Sequence, residues 1–235
     1  MIDVHSHILP GIDDGSRNVE MSLKMLREEW EQGIKDIFLT PHFYADMTDP
    51  EKFLSRRSDA EKNLIEAVNG TSTEIPKWIL GAEVHYYRGI GRSEDIGKLC
   101  IGNSRYILLE PPFREWTPAF LEDVRALRDE LDLKVIIAHI ERYLDQDKHL
   151  VRELTEEPGV FLQANAEFFI DRRTRRRALK MLKDEEIDFL GTDAHNMEER
   201  RPNLLDAIKI IEDKLGSGKI DLLEENSERL LHEAE

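Results

Sequence analysis

The chain has 235 residues, 40% of them hydrophobic, and 49 acidic against 33 basic side chains give it a formal charge of −16. That length suits a single α/β barrel and the apolar fraction suffices for a sizeable core. The negative charge argues against nucleic acid or an anionic membrane as the main partner, because long-range repulsion opposes both.

Taken in chain order, Met1-Ile2-Asp3-Val4-His5 has neither a basic start nor an apolar leader core, which speaks against export. A strand is expected at Ile2–His5. Val19, Leu23, Leu26 and Trp30 then form a stripe of helical spacing, and Gly33 stands where a C-terminal cap belongs. Further strands are expected at Asp36–Thr40, Trp78–Glu83, Tyr106–Glu110, Lys134–His139, Val160–Ala164 and Asp188–Thr192. Between them, helices fit Pro50–Val68, Asp145–Glu156, Asp171–Glu185 and Pro202–Leu215. Another opens at Thr117-Pro118, with Phe120, Val124, Leu127 and Leu131 on one face. A last short helix is expected through Ser227–Glu233. No apolar run approaches the ~20 residues of a membrane helix, and the lone Cys100 has no partner for a disulfide, so a cytoplasmic location is expected. No linker or repeat divides residues 1–235, which read as one domain.

Alternating strands and helices imply parallel strands with right-handed crossovers, in an open sheet or a closed barrel. The strand ends favour the barrel. They read His5-Ser6-His7, Thr40-Pro41-His42, Gly81-Ala82-Glu83, Glu110-Pro111-Pro112, Ala138-His139 and Gly191-Thr192-Asp193-Ala194-His195. Six of the seven expected strands thus finish on a histidine or carboxylate. In a barrel those ends converge on one face, where active sites of this architecture sit; an open sheet would spread them along a line.

His5 and His7 stand two apart, as do Asp193 and His195, so each pair shares a face of an extended chain. Either pair alone is as well explained by buried hydrogen bonding. Six ends together are not, because Glu83, Glu110 and Asp193 would repel one another unless cations lay between them. The donors are nitrogen and oxygen only, which suits Mn²⁺, Fe²⁺ or Zn²⁺. Asp13 and Asp14 lie in Gly11-Ile12-Asp13-Asp14-Gly15, which by itself reads as an ordinary turn.

The order HxH, TPH, GAE, AHIERY and GTDAH resembles the polymerase and histidinol phosphatase (PHP) superfamily. The opening MIDVHSHILPGIDDGS resembles its bacterial manganese-dependent tyrosine-protein phosphatases of capsular polysaccharide loci, and SRYILLE, VIIAHIERY and DAHN extend the likeness along the chain. The resemblance implies a distorted seven-stranded (β/α)7 barrel with three divalent ions, most readily Mn²⁺, at the C-terminal ends of the strands. On that pattern His5, His7, Glu83 and Asp193 hold one ion, and Glu83 bridges to a second shared with Glu110 and His139. Asp14, His42 and His195 hold the third; the family pattern leaves Asp13 as a turn residue.

Water between two such cations loses its proton near neutral pH and attacks phosphorus. Arg142, in His139-Ile140-Glu141-Arg142-Tyr143, and Arg200 are candidates for gripping the phosphoryl oxygens through their planar donor forks. With His195 they complete the expected catalytic set. The implied substrate is a phosphotyrosine protein, the tail of a bacterial kinase that controls polysaccharide export. A phenolate leaves with a pKa near ~10, so no strong general acid is needed. A small phosphate monoester such as histidinol phosphate, a phosphodiester, and a non-catalytic metal-stabilised module are the competing readings. No self-complementary stripe argues for an oligomer.

Only four residues separate Cys100 from Arg105, without a glycine-rich cradle, and Cys100 reads as an inert thiol. His85 reads as a rim residue, and His149 and His232 as helix-surface residues. The run Arg172-Arg173-Thr174-Arg175-Arg176-Arg177 reads as a solvated face, with docking of an acidic tail as the weaker alternative.

Overall fold

The structure is a computed structural model that describes all 235 residues. Strand β1 (Ile2–Ser6) is followed by α1 (Val19–Glu31), β2 (Asp36–Leu39), β3 (His42–Phe43) and α2 (Pro50–Asn69). Next come β4 (Lys77–Leu80), β5 (Glu83–His85), β6 (Tyr106–Glu110), α3 (Pro118–Asp129) and β7 (Lys134–Ile137). The chain continues through α4 (Lys148–Thr155), β8 (Val160–Asn165), α5 (Ala166–Ile170), α6 (Arg175–Lys183), β9 (Phe189–Gly191), α7 (Leu204–Leu215) and α8 (Ser217–Ala234).

Every strand pair is parallel, in the orders β1-β2-β4 and β3-β5-β6-β7-β8-β9. The strand expected at Asp36–Thr40 ends at Leu39 and resumes past Thr40-Pro41 as the unexpected β3, while the one expected at Trp78–Glu83 is broken at Gly81-Ala82 into β4 and β5. Proline has no N–H for a ladder, and a Cβ on Gly81 would stand 3.2 Å from the Thr40 methyl, so the two breaks pack together. Counting each broken strand once leaves seven staves. The ring closes where Asp193 N–H donates to the His5 carbonyl at 2.8 Å and His7 N–H to the Ala194 carbonyl at 2.9 Å. The expected distorted barrel is therefore what forms.

Three of the eight helices begin at a side-chain cap. Asn18, Asp49 and Asp147 accept N-terminal backbone N–H groups of α1, α2 and α4, and Gly33 follows α1 with φ +86°. Thr117 occupies the cap position of α3 without a side-chain cap bond, and Leu131 lies past that helix's end. The helix expected at Asp171–Glu185 starts later, at Arg175, because Asp171 turns back to bind the Arg173 N–H and guanidinium. The short terminal helix is instead the 18-residue α8, whose Ile220, Leu223, Leu230 and Ala234 are buried. No helix is long and apolar enough to cross a membrane.

The core has two parts. The larger lies between the strands and the surrounding helices. The smaller joins Ile2, Val4, Phe38, Tyr106, Leu108, Ile136 and Phe189 of the strands to Leu230 and Ala234 of α8. Alternation along β1 would place Asp3 and His5 on the face opposite Val4. The pairing of β1 with β2 slips between Asp3 and Ser6, a bulge of the kind that re-aims side chains beside active sites. Val4 therefore joins the smaller cluster, while His5 meets Gln163 of β8.

Candidate metal centre

Beyond the bulge, His5 and His7 point together, with their Nε2 atoms 3.1 Å apart. Glu83 Oε2 stands 3.3 Å from His5 Nε2 and 3.2 Å from His7 Nε2. Asp193 Oδ1 stands 3.6 and 3.3 Å from the same two atoms. Four donors about 2.1 Å from a tetrahedral centre lie roughly 3.4 Å apart, so this buried set has the spacing of a coordination shell. The second oxygen of Glu83, Oε1, is 2.7 Å from His139 Nε2, which lies 3.5 Å from Glu110 Oε1. Asp14 Oδ1 is 3.6 Å from His42 Nε2 and 3.5 Å from His195 Nε2. All nine residues anticipated as ligands thus converge, Asp14 from an exposed loop. His42 is less cleanly assigned than expected: its Nδ1 is 2.9 Å from Glu83 Oε2, and it also groups with Glu83 and Glu110.

Three histidines are oriented alike. His5 Nδ1 meets Gln163 Oε1 at 3.1 Å, His7 Nδ1 meets Asp13 Oδ2 at 2.7 Å, and His195 Nδ1 meets the Asp193 carbonyl at 2.8 Å. Each partner is an acceptor, so Nδ1 carries the donated proton and Nε2 faces the site, where its lone pair is available once a cation takes the place of a proton, the arrangement a ligating histidine needs. The backbone is strained at two of the nine residues, with φ +33° at His139 and +53° at Asp193. Such conformations cost about 1–3 kcal/mol and cluster at functional sites.

The electrostatics ask for cations. Glu83 Oε2, Asp193 Oδ1 and His195 Nε2 are buried without a hydrogen-bond partner, a concentration of unmet polar atoms that a bound ion would resolve. Burial opposes a charged His139, yet Glu110 and Glu83 push its pKa up to about 9. His7 is likewise held well above the ordinary range against its burial, by Asp13 foremost and then Asp193 and Glu83. His195 goes the other way, to about 3, through burial and repulsion from His7. Protons on histidines here do the work that divalent cations can do better, and the nitrogen-and-oxygen donor set fits such ions.

Arg142 and Arg200 both reach Asp193 Oδ2, at 2.5 and 2.7 Å. They line a cavity of about 260 Å³ with Asn165, Thr174 and Asn203. Each is a little over one-third exposed, with donors left over for an anion entering that cavity.

Several residues were not legible as functional. Asp13 is no idle turn residue: besides His7 it accepts the His42 and Gly15 N–H groups. A Cβ on Gly15 would fall 2.2 Å from the His7 carbonyl, and this close approach brings the loop onto the histidine. Gln163 also accepts the His139 N–H at 2.7 Å, and Asn165 donates to Asp193 Oδ2 at 3.0 Å. Their only sequence signal is the Gln-Ala-Asn alternation on the one strand lacking a histidine or carboxylate end. His85 meets Glu110 Oε2 at 2.8 Å and positions that carboxylate from the rim. In the arginine run, Arg175 and Arg177 donate to the backbone carbonyls of Phe169, Ile170 and Leu144. Cys100 is buried, and its thiol is pushed up to about 11 by that burial.

A barrel whose strand ends carry a buried cluster of histidine and carboxylate donors defines a metal-dependent hydrolase. The chain belongs to the capsular polysaccharide synthesis CpsB/CapC family, whose model matches residues 1–232. It is 30% identical over 244 residues to the tyrosine-protein phosphatase YwqE of Bacillus subtilis, spanning 98% of this chain and 91% of that protein. Tyrosine-protein phosphatase CpsB of Streptococcus agalactiae is 28% identical over 248 residues, spanning 98% of each. Among solved structures, a chain from work on YwqE of Bacillus subtilis and CpsB of Streptococcus pneumoniae, described as unique metal-dependent tyrosine phosphatases, matches with TM-score 0.80. It is 27% identical and the match covers 100% of this chain and 96% of that one. The family resemblance read from the motifs is borne out.

Proposed function

We propose that this chain, a metal-dependent tyrosine-protein phosphatase of capsular polysaccharide synthesis, works through three divalent cations, most readily Mn²⁺. His5, His7, Glu83 and Asp193 would hold the first, Glu83, Glu110 and His139 the second, and Asp14, His42 and His195 the third. The observation that carries this reading is the Glu83 carboxylate, with Oε2 on His5 and His7 and Oε1 on His139. A carboxylate with one oxygen on each of two donor sets is suited to bridge two ions.

Bound cations of this kind acidify water and neutralise charge on the attacking and leaving oxygens of an in-line phosphoryl transfer. The chain's own groups do the rest. Gln163 and Asp13 fix the tautomers of His5 and His7. His195, held neutral by burial, keeps a lone pair rather than a proton at the site. Arg142 and Arg200 would turn their free donors to the phosphoryl oxygens, which fixes the orientation of the group in transfer. The phenolate of tyrosine leaves with a pKa near ~10 and needs no strong proton donor. The substrate would be the phosphotyrosine tail of a kinase of the same polysaccharide system.

The test compares hydrolysis of phosphotyrosine peptides, phosphoserine peptides and histidinol phosphate by metal-stripped protein with and without Mn²⁺. Restored activity that favours phosphotyrosine is expected, with three equivalents of metal bound at saturation. Preference for histidinol phosphate would overturn the protein substrate, and saturation at two equivalents would remove the third ion.

A further inference from the structure

Only three large hydrophobic side chains of the chain are well exposed: Met47, Ile65 and Phe113. Phe113 follows Glu110-Pro111-Pro112 directly and is 65% exposed. It is not a loose surface ring. One side of it stacks on His85, with ring centres 5.8 Å apart, and it also faces Tyr143 at 6.3 Å. His85 in turn lies 5.4 Å from the Tyr44 ring, and Tyr44 lies 5.2 Å from His42. These spacings fall in the range of favourable ring–ring contacts. A continuous row, Tyr44–His85–Phe113, therefore borders the metal centre beside His42 and Glu110 and ends in a ring open to solvent.

The row rests on three separate loops or strand ends, β3, β5 and the segment after β6, so the barrel that gathers the ligands gathers these rings too. His85 ties it to the chemistry through its 2.8 Å bond to Glu110. Arg142 and Arg200 both bind Asp193, on the far side of Glu110 from His85, with Arg142 also within 4.0 Å of Glu110 Oε1. The centre is thus bordered by guanidinium groups at Asp193 and by aromatic rings at His42 and Glu110. A flat apolar ring attached to a phosphoryl group matches that division.

We propose that Tyr44, His85 and Phe113 form the wall that receives the phenyl ring of phosphotyrosine, with Phe113 as the residue that sets aryl over alkyl preference. This rests on the phosphatase reading above. Pro111 and Pro112 fix their own φ and so stiffen the segment leading into Phe113, and the stack on His85 limits the freedom of its ring, so little ordering is needed when substrate arrives. A phosphoserine methylene is too short and too small to cover the wall, so it gains the metal and arginine contacts without the ring contact.

The experiment measures competitive inhibition of the Mn²⁺-loaded enzyme by phenylphosphonate and by inorganic phosphate, in the unaltered chain, Phe113→Ala and Phe113→Tyr. Phe113 is exposed, so its replacement leaves the core intact, and thermal melting of each variant checks this. In Phe113→Ala the inhibition constant for phenylphosphonate should rise about tenfold, as expected for a lost aromatic contact and its buried area. That for phosphate should move less than about twofold, and Phe113→Tyr should restore the preference. Equal shifts for both inhibitors, or none for phenylphosphonate, would overturn the wall. Failure of the phosphatase reading looks different: the unaltered enzyme would then not turn over phosphotyrosine at all.

Discussion

Asp13 and His7 are joined at 2.7 Å, with Asp13 Oδ2 accepting from His7 Nδ1 while its other oxygen accepts the Gly15 N–H. The carboxylate fixes the ring, raises its basicity and also takes the His42 N–H. Removing such an outer partner commonly costs 10–100-fold in metal affinity. Asp13→Ala should accordingly weaken Mn²⁺ binding by about tenfold or more, read by calorimetric titration of metal-stripped protein. Unchanged affinity would return Asp13 to the role of a plain turn residue.

Metal removal should cost stability as well as activity. Glu83 and Asp193 are buried with oxygens that no hydrogen bond meets. A cation at about 100 times its Kd adds roughly 2.7 kcal/mol per site. For a domain of this size each kcal/mol moves Tm by about 2–4 °C. Chelation should lower Tm by at least about 5 °C, with recovery on adding Mn²⁺. A melting curve indifferent to chelator would contradict a metal centre built from these residues.

Glu29 on α1 is fully buried, neither of its oxygens has a hydrogen-bond partner, and Asp3 lies near. Burial, then repulsion from Asp3, holds its pKa well above the usual carboxylate range. The folded state therefore keeps a proton that the unfolded chain releases above ~4.3, and stability falls as pH rises from there toward the folded pKa. Glu29→Gln supplies a permanent donor with no proton to lose. Denaturant unfolding at pH 5 and pH 8 should show a smaller decline for the variant than for the unaltered chain; an equal decline would show that Glu29 does not titrate in that window.

Cys100 should prove a bystander. Its thiol, pushed up to about 11 by burial, is almost wholly protonated at neutral pH and a poor nucleophile. Native protein should label slowly with a thiol reagent and quickly once unfolded, and Cys100→Ala should keep its phosphatase activity. Loss of turnover in a folded Cys100→Ala variant would revive a cysteine mechanism.

The histidines and carboxylates that converge were legible because metal chemistry restricts residue type, and because a parallel α/β barrel collects the C-terminal ends of its strands. The supporting residues were not. Gln163 and Asn165 are ordinary polar residues until Gln163 meets His5 from across the barrel. Asp13 and Asp14 are adjacent in sequence, yet one binds the Nδ1 of His7 while the other approaches His42 and His195.

By itself the sequence determined the alternation of parallel strands and helices and the donors at the strand ends, since both follow from local periodicity and residue chemistry. Tertiary structure alone decided how those donors face one another. The slip in pairing between Asp3 and Ser6 puts His5 where it meets Gln163, and the breaks at Thr40-Pro41 and Gly81-Ala82 set His42 and Glu83 on new short strands paired with each other. Pro41 and Gly81 mark the breaks locally, but neither the slip nor the pairing of the new strands has a local signature, because strand register is fixed by what the neighbouring strands and the packed faces accept, and those neighbours lie dozens of residues away.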